Sequence, residues 1–287
     1  MRWSWFGVRP SLEMIWSFDA GGNVWRLIPT ATGHIVGEVR RPDQRQTSFF
    51  CLDESSGKTL WRDRAFDEPW WIGVEAVAGE VVILHTYEKP DMPQHRAMIA
   101  FDLRSGRELW REPDAAFTFV SGTSVYGVRR QLGMSSVVEI DVRTGEVLRS
   151  LDEALPEFGE LRKNAAHSIP MGEISLAAPY EPGSDPDCDR ALNRSILRTQ
   201  SATGLESLRM DDYLLVSFYV QTASREGQRA EFANHFRVVD VGSTKTLHDE
   251  ILARSVPAAV PDTFYVRNKA VVSVKDLHIV RAHRLPQ

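Results

Sequence analysis

The chain has 287 residues, with 34 Lys and Arg against 39 Asp and Glu, a formal charge of −5, 43% hydrophobic and 25% charged residues. That balance suits a folded globular protein and argues against long disorder and against a basic, nucleic-acid-coating surface. No stretch reaches the ~20 apolar residues of a membrane-spanning helix. Residues 1–16 lack the continuous apolar core of an export signal. Cys51 and Cys188 are too few for a disulfide framework or a four-thiolate zinc site. A cytoplasmic protein without membrane span or nucleic-acid partner is expected.

In chain order, Glu13-Met-Ile-Trp16-Ser-Phe reads as a lone strand. Alternating β-branched and aromatic runs then pair as six hairpins, roughly 35–40 with 46–53, 81–87 with 97–102, and 125–130 with 136–141. The later three are roughly 173–180 with 194–200, 213–221 with 232–240, and 270–275 with 277–283. Residues 151–163 are the candidate helical insertion, although Pro156 and Gly159 count against it. No apolar 3.6-residue period lasts beyond about two turns, which excludes helical repeats.

A repeat organises these runs. Asp53-Glu-Ser-Ser-Gly57-Lys-Thr-Leu60-Trp61 returns as Asp102-Leu-Arg-Ser-Gly106-Arg-Glu-Leu109-Trp110 and as Asp141-Val-Arg-Thr-Gly145-Glu-Val-Leu148-Arg149. Weaker copies run from Gln200 through Gly204 to Leu208, and from Asp240 to His248 with Thr244 in the Gly position. The Asp can accept backbone N–H bonds two residues on and the Gly allows positive φ, so each copy is a turn between strands. Intervals of about 40–50 residues belong to β-propeller blades. The expected fold is therefore all-β: a single-domain propeller of four-stranded blades over residues 1–287. It has six blades of about 48 residues, with five or seven left open by the degenerate stretch 149–200, and the N-terminal strand closes it.

Asp-x-x-x-Gly-(Lys/Arg)-x-Leu-Trp at the end of a β-rich unit resembles the repeat of pyrroloquinoline-quinone-type, quinoprotein-like β-propellers. Segments 53–61 and 102–110 carry the resemblance most fully. It implies a structural role between blades for Trp16, Trp61 and Trp110, the cheaper reading also for a large side chain needing one N–H partner. The quinone enzymes of that family carry adjacent cysteines and calcium ligands, which this sequence lacks. The resemblance thus implies a non-catalytic, bacterial member without a cofactor.

Nine residues after successive Trp slots stand Trp25, Trp70, Phe119 and Phe158. These either line one mouth of a propeller channel or pack between blades. Strand alternation would send Trp70 and Trp71 to opposite faces. With Trp25, Arg26, Glu75 and Phe119 they form the candidate ligand-binding site, and Glu68 and Arg129 are expected nearby. Asp185, Asp187 and Asp189 alternate as in the opening of a calcium loop, yet Arg190 and Ile196 break that pattern. An acidic hairpin tip is the plainer reading, in which Cys188 is unreactive. His85 and His95 could face each other across a hairpin, but two imidazoles are too few for zinc. No catalytic motif is present, so no catalytic residue is assigned. A scaffold that binds a protein or small molecule is expected; the alternative is a propeller lyase or hydrolase acting at the channel mouth.

Overall fold

A computed structural model describes residues 12–88, 94–131, 134–152, 156–167, 174–197, 202–222 and 230–286. Among them, 22 strands form five antiparallel sheets. The first comprises Asn23–Pro29, His34–Arg41, Gln46–Asp53 and Thr59–Arg64; the second Ile72–Ala78, Val81–Tyr87, His95–Asp102 and Glu108–Glu112. The third comprises Ala115–Ser121, Ser124–Gln131, Met134–Asp141 and Val147–Asp152. The fourth adds the short strand Ala178–Pro179 to Ala202–Met210, Tyr213–Gln221, Phe232–Asp240 and Thr246–Val256. The fifth orders Ile174–Leu176, Phe264–Arg267, Ala270–Lys275, Ile279–Arg284 and then Glu13–Asp19.

The N-terminal strand completes the last sheet as expected, with Glu13 opposite Arg284 and Asp19 opposite Ile279. The described chain parts into two compact units, where the sequence reads as one domain. Ala20–Gly172 holds the first three sheets, and Met1–Asp19 with Glu173–Gln287 holds the last two. Among the described residues no helix is long and apolar enough to cross a membrane.

Five of the six expected hairpins form, and five sheets stand where six blades were expected. The exception is 173–180 with 194–200. Residues Pro186–Leu192 are instead a helix (α2, following α1, Pro156–His167), continued by a π-helical turn Asn193–Leu197. Asp185 caps α2, accepting from the N–H groups of Asp187 (3.0 Å) and Cys188 (3.2 Å), and Pro186 opens it without losing a hydrogen bond. Cys188, Ala191, Leu192 and Ile196 then fall on one face and bury against Leu214, Val216 and Phe218. Gly204 is not in a turn but within a strand at a register shift, with φ +56. Gln200, the Asp slot of that weak copy, lies outside the described residues, as do 153–155 of the expected insertion; its 156–163 fall in α1, while 151–152 end the strand Val147–Asp152.

The clear repeats superimpose in chemistry. Asp53, Asp102, Asp141 and Asp240 each accept from the N–H three residues on, at 2.9, 2.8, 2.8 and 2.6 Å. Three rather than two is the common span; Asp141 adds an N–H two residues on, from Arg143. The hydroxyl of Ser56, Ser105, Thr144 or Ser243 donates to the same oxygen. Gly57, Gly106 and Gly145 close these turns at positive φ, and Thr244 does so at φ +58. In the first unit to carry them, each Trp crosses to the next turn: Trp61 Nε1 donates to Leu103 O (2.7 Å) and Trp110 Nε1 to Val142 O (2.9 Å). The sheets meet there over continuous apolar packing, Val36, Phe49 and Ile72 with Leu84 and Phe101, then Ile83 and Met98 with Val125 and Ile140.

Candidate functional site

The residues nominated from the sequence do not gather at one mouth. Trp70 and Trp71 precede the strand Ile72–Ala78 and sit in a turn, because the Glu68 carboxylate accepts both of their backbone N–H groups (3.0 and 2.8 Å). Alternation therefore does not apply, and the two indoles meet edge to face with centroids 6.5 Å apart. Trp70 covers the Arg40 guanidinium at 5.2 Å, while Trp71 packs edge-on against Tyr87 at 5.7 Å. Phe119 is buried, stacked on Tyr126 and touching Phe158 of α1, so it belongs to the core. Trp25 is 68% exposed. Arg26 reaches across to donate to the carbonyl of Val74, and Arg129 pairs with Glu112 at 2.7 Å.

The ninth-residue series fails because the connections from the Trp strands to the next first strands, residues 20–22, 65–71 and 113–114, differ in length; what those first strands share is a β-bulge. The extra residues are Trp25 between Val24 and Arg26, Glu75 between Val74 and Ala76, and Thr118 between Phe117 and Phe119. Trp25 therefore corresponds to Glu75, not to Trp70. A bulge re-aims its side chain, and Glu75 turns onto two histidines. His85 Nδ1 lies 3.1 Å from Glu75 Oε1, and His95 Nδ1 hydrogen-bonds the same oxygen. A second bulge, at Ala97 (φ +51), sets His95 opposite Tyr87. The imidazoles stack with centroids 3.6 Å apart and planes 7° from parallel. Tyr87 stands edge-on to both, at 5.0 and 5.2 Å. Burial would raise the Glu75 carboxyl, but the charge of both histidines and the His95 hydrogen bond hold it below its usual value.

Behind this cluster lies a buried strap between the first two sheets. Glu38, 1% exposed, accepts from Arg40 Nε (2.8 Å) and Nη2 (2.6 Å) and from the N–H of Val74 (2.9 Å). Arg40 also donates to the carbonyls of Trp70 and Ile72.

The other unit holds a cleft of about 460 Å³ that sequence reasoning missed. Its lining combines apolar Leu12, Met14 and Ile251 with Arg254, Lys275 and Arg281 and with the carboxylates Asp249 and Glu250. His248, which stands in the Trp slot of its repeat, accepts from the Leu12 N–H at 3.2 Å and lies 5.5 Å from His283. Glu250 is clamped by Lys275 and by Arg281 (2.6 Å). Burial would raise its carboxyl, but His248, Arg281 and Lys275 hold it far below the carboxylate range. Burial and the Arg281 charge push His283 down to about 4, so it is neutral at pH 7. The available signal was His248 in place of Trp, a polar ring where the repeat wants an apolar one.

Asp185, Asp187 and Asp189 belong to the start of α2 rather than to a hairpin tip. Asp185 caps the helix and pairs with Arg209, Asp187 pairs with Arg190 (2.6 Å), and Asp189 accepts from the Gly183 N–H (3.1 Å). Hydrogen bonds from Arg209 and the cap hold Asp185 at about 2. Cys188 and Cys51 are free and buried, with burial and then Asp185 or Asp53 raising the thiols to about 11 and about 12.

A family described as a domain of unknown function (DUF4905) matches residues 28–110, a segment that contains Trp61, Glu75, His85, His95 and Trp110. No curated protein matches the sequence. Among solved structures, the crystal structure of a eukaryotic initiation factor aligns with 91% of this chain at 10% identity and TM-score 0.32. The chain spans 55% of that protein's length.

Proposed function

We propose that the chain is a non-enzymatic β-propeller scaffold of five blades, closed by its N-terminal strand, of the quinoprotein-like repeat type. Repeated Asp–Gly turns, Trp61 and Trp110 each reaching the following turn, and the N-terminal strand on the last sheet support that architecture. Two free, buried cysteines suit a reducing cytoplasm. Its work is to bind a small molecule or peptide segment that carries an anionic group beside an apolar body. The observation that carries this is the cleft, whose lining joins 56%-exposed Met14 and buried Leu12 with Lys275 and Arg281. The carboxylate on its floor, Glu250, is held ionised by two cations and has no proton to give, which favours recognition over a lyase or hydrolase.

Titration of the full chain with octanoate, octylammonium and inorganic phosphate, read by calorimetry and thermal shift, tests the reading. Octanoate is expected to bind and raise Tm, and octylammonium to do neither. Met14→Asp with Arg254→Ala should abolish the response without lowering the Tm of the free protein. No binding of octanoate, or an undiminished response in that variant, overturns it.

A further inference from the structure

The geometry points to a divalent transition-metal site made by Glu75, His85 and His95, with zinc as the ion its ligands suit. These three are, among the described residues, the group of His, Cys, Asp and Glu that could hold an ion, their ligand atoms lying within 4.8 Å of one another. They belong to one sheet: Glu75 from the first strand, His85 from the second and His95 from the third. The site is in the unit Ala20–Gly172, so the inference stands or falls separately from the cleft.

Three features argue for an ion rather than a packing cluster. First, His85 is 2% exposed, yet neither ring nitrogen has a hydrogen-bond partner, the 3.1 Å approach of Nδ1 to Glu75 being off-angle. A buried imidazole with both nitrogens unmet costs free energy that a metal ligand bond would remove. Second, two imidazoles and one carboxylate are the ligand set of three-ligand zinc sites, which keep a fourth position for water or a ligand. Third, the far side of His85 has a second carboxylate. A side chain begun at Gly73 would meet His85 Nε2 at 3.3 Å and Glu38 Oε2 at 3.1 Å, so both converge on the space that glycine leaves open. A carboxylate behind a metal-binding histidine fixes its tautomer and raises its basicity.

Ligands bound to one tetrahedral zinc at about 2.0–2.2 Å stand about 3.3–3.6 Å apart, so a ring rotation completes the site. His85 is fixed by burial, whereas the His95 side chain is 32% exposed and can turn. Metal binding therefore opens the imidazole stack. Tyr87 touches both rings and Trp71 touches Tyr87, which places a fluorophore beside the ion.

The test uses the full chain stripped with a chelator. Co²⁺ titration is expected to give a saturable visible d–d absorption at a single equivalent, displaced by Zn²⁺, with a change in Trp emission. His95→Ala and Glu75→Gln, both at partly exposed positions, should each weaken Zn²⁺ binding at least tenfold while keeping the far-UV spectrum and melt of the parent. His283→Gln should bind as the parent does. Absence of stoichiometric Co²⁺ or Zn²⁺ binding, or undiminished binding in a Glu75→Gln/His95→Ala double variant, overturns the assignment.

Discussion

The indole of Trp110 lies against the α-carbon of Gly145, so that a Cβ there would stand 2.5 Å from Trp110 Cγ. Trp61 and Gly106 repeat the relationship one sheet earlier, at 3.0 Å from Cγ. The glycine thus serves twice, supplying positive φ (+77 at Gly145) and leaving room for the preceding repeat's tryptophan. The motif couples a local turn to long-range packing.

This coupling makes a double-mutant cycle decisive. Trp110→Ala should cost about 3–5 kcal/mol, the range for truncating a buried large aromatic. Gly145→Ala should cost about 1–3 kcal/mol through crowding, with added strain from positive φ. Together they should cost less than the sum, because the alanine methyl then has room. Additive losses in denaturant titrations would show that the indole and the glycine do not press on each other.

Glu38 and Arg40 tie the second strand of the first sheet to the start of the second sheet. Glu38→Ala leaves a largely buried guanidinium without its carboxylate and an unpaired Val74 N–H, and should cost about 3–5 kcal/mol. Glu38→Gln keeps an acceptor for Val74 and should lose less. Equal stability of all three proteins in urea would refute the strap.

Acid unfolding should proceed in two stages. His283 has its folded pKa lowered from 6.5 to about 4. Between those values the unfolded chain binds the proton and the folded chain does not, so stability present above pH 6.5 is lost as pH falls toward 4, on the order of 3 kcal/mol. Asp102 and Glu250 are lowered carboxylates. Their contribution is full above the ordinary carboxylate pKa and is lost only as pH falls through their folded values. Melting curves across pH should show both stages in the parent and only the lower one in His283→Gln.

The cap of α2 is tested by amide exchange. Asp185→Ala removes the acceptor for the N–H groups of Asp187 and Cys188, and those two amides should lose protection while the strands of the fourth sheet keep theirs. Unchanged exchange at both would show that the buried face alone holds the helix.

What the sequence by itself determined is what local chemistry determines. Asp, a hydroxyl residue and Gly at fixed spacing make the same turn wherever they occur, so Asp53, Asp102, Asp141 and Asp240 were readable as equivalent, and their flanking runs as strands. The N-terminal strand was readable because its Trp16 matched a missing copy. Helix α2 had a signature too, Asp-Pro followed by Cys188, Ala191, Leu192 and Ile196 at helical spacing, masked by the strand-like run from Ser195 onward. Tertiary structure decided the rest. Glu75 meets His85 and His95 because single-residue bulges at Glu75 and Ala97 shift each strand's register, and a bulge has no composition of its own. Trp70 and Trp71 share a side because Glu68 bends the chain ahead of the strand. The cleft draws on residues 12–14, 248–254 and 275–283, which only sheet pairing brings together. A turn is fixed by neighbours in sequence; a site is fixed by register between strands, and one inserted residue reverses every side chain beyond it.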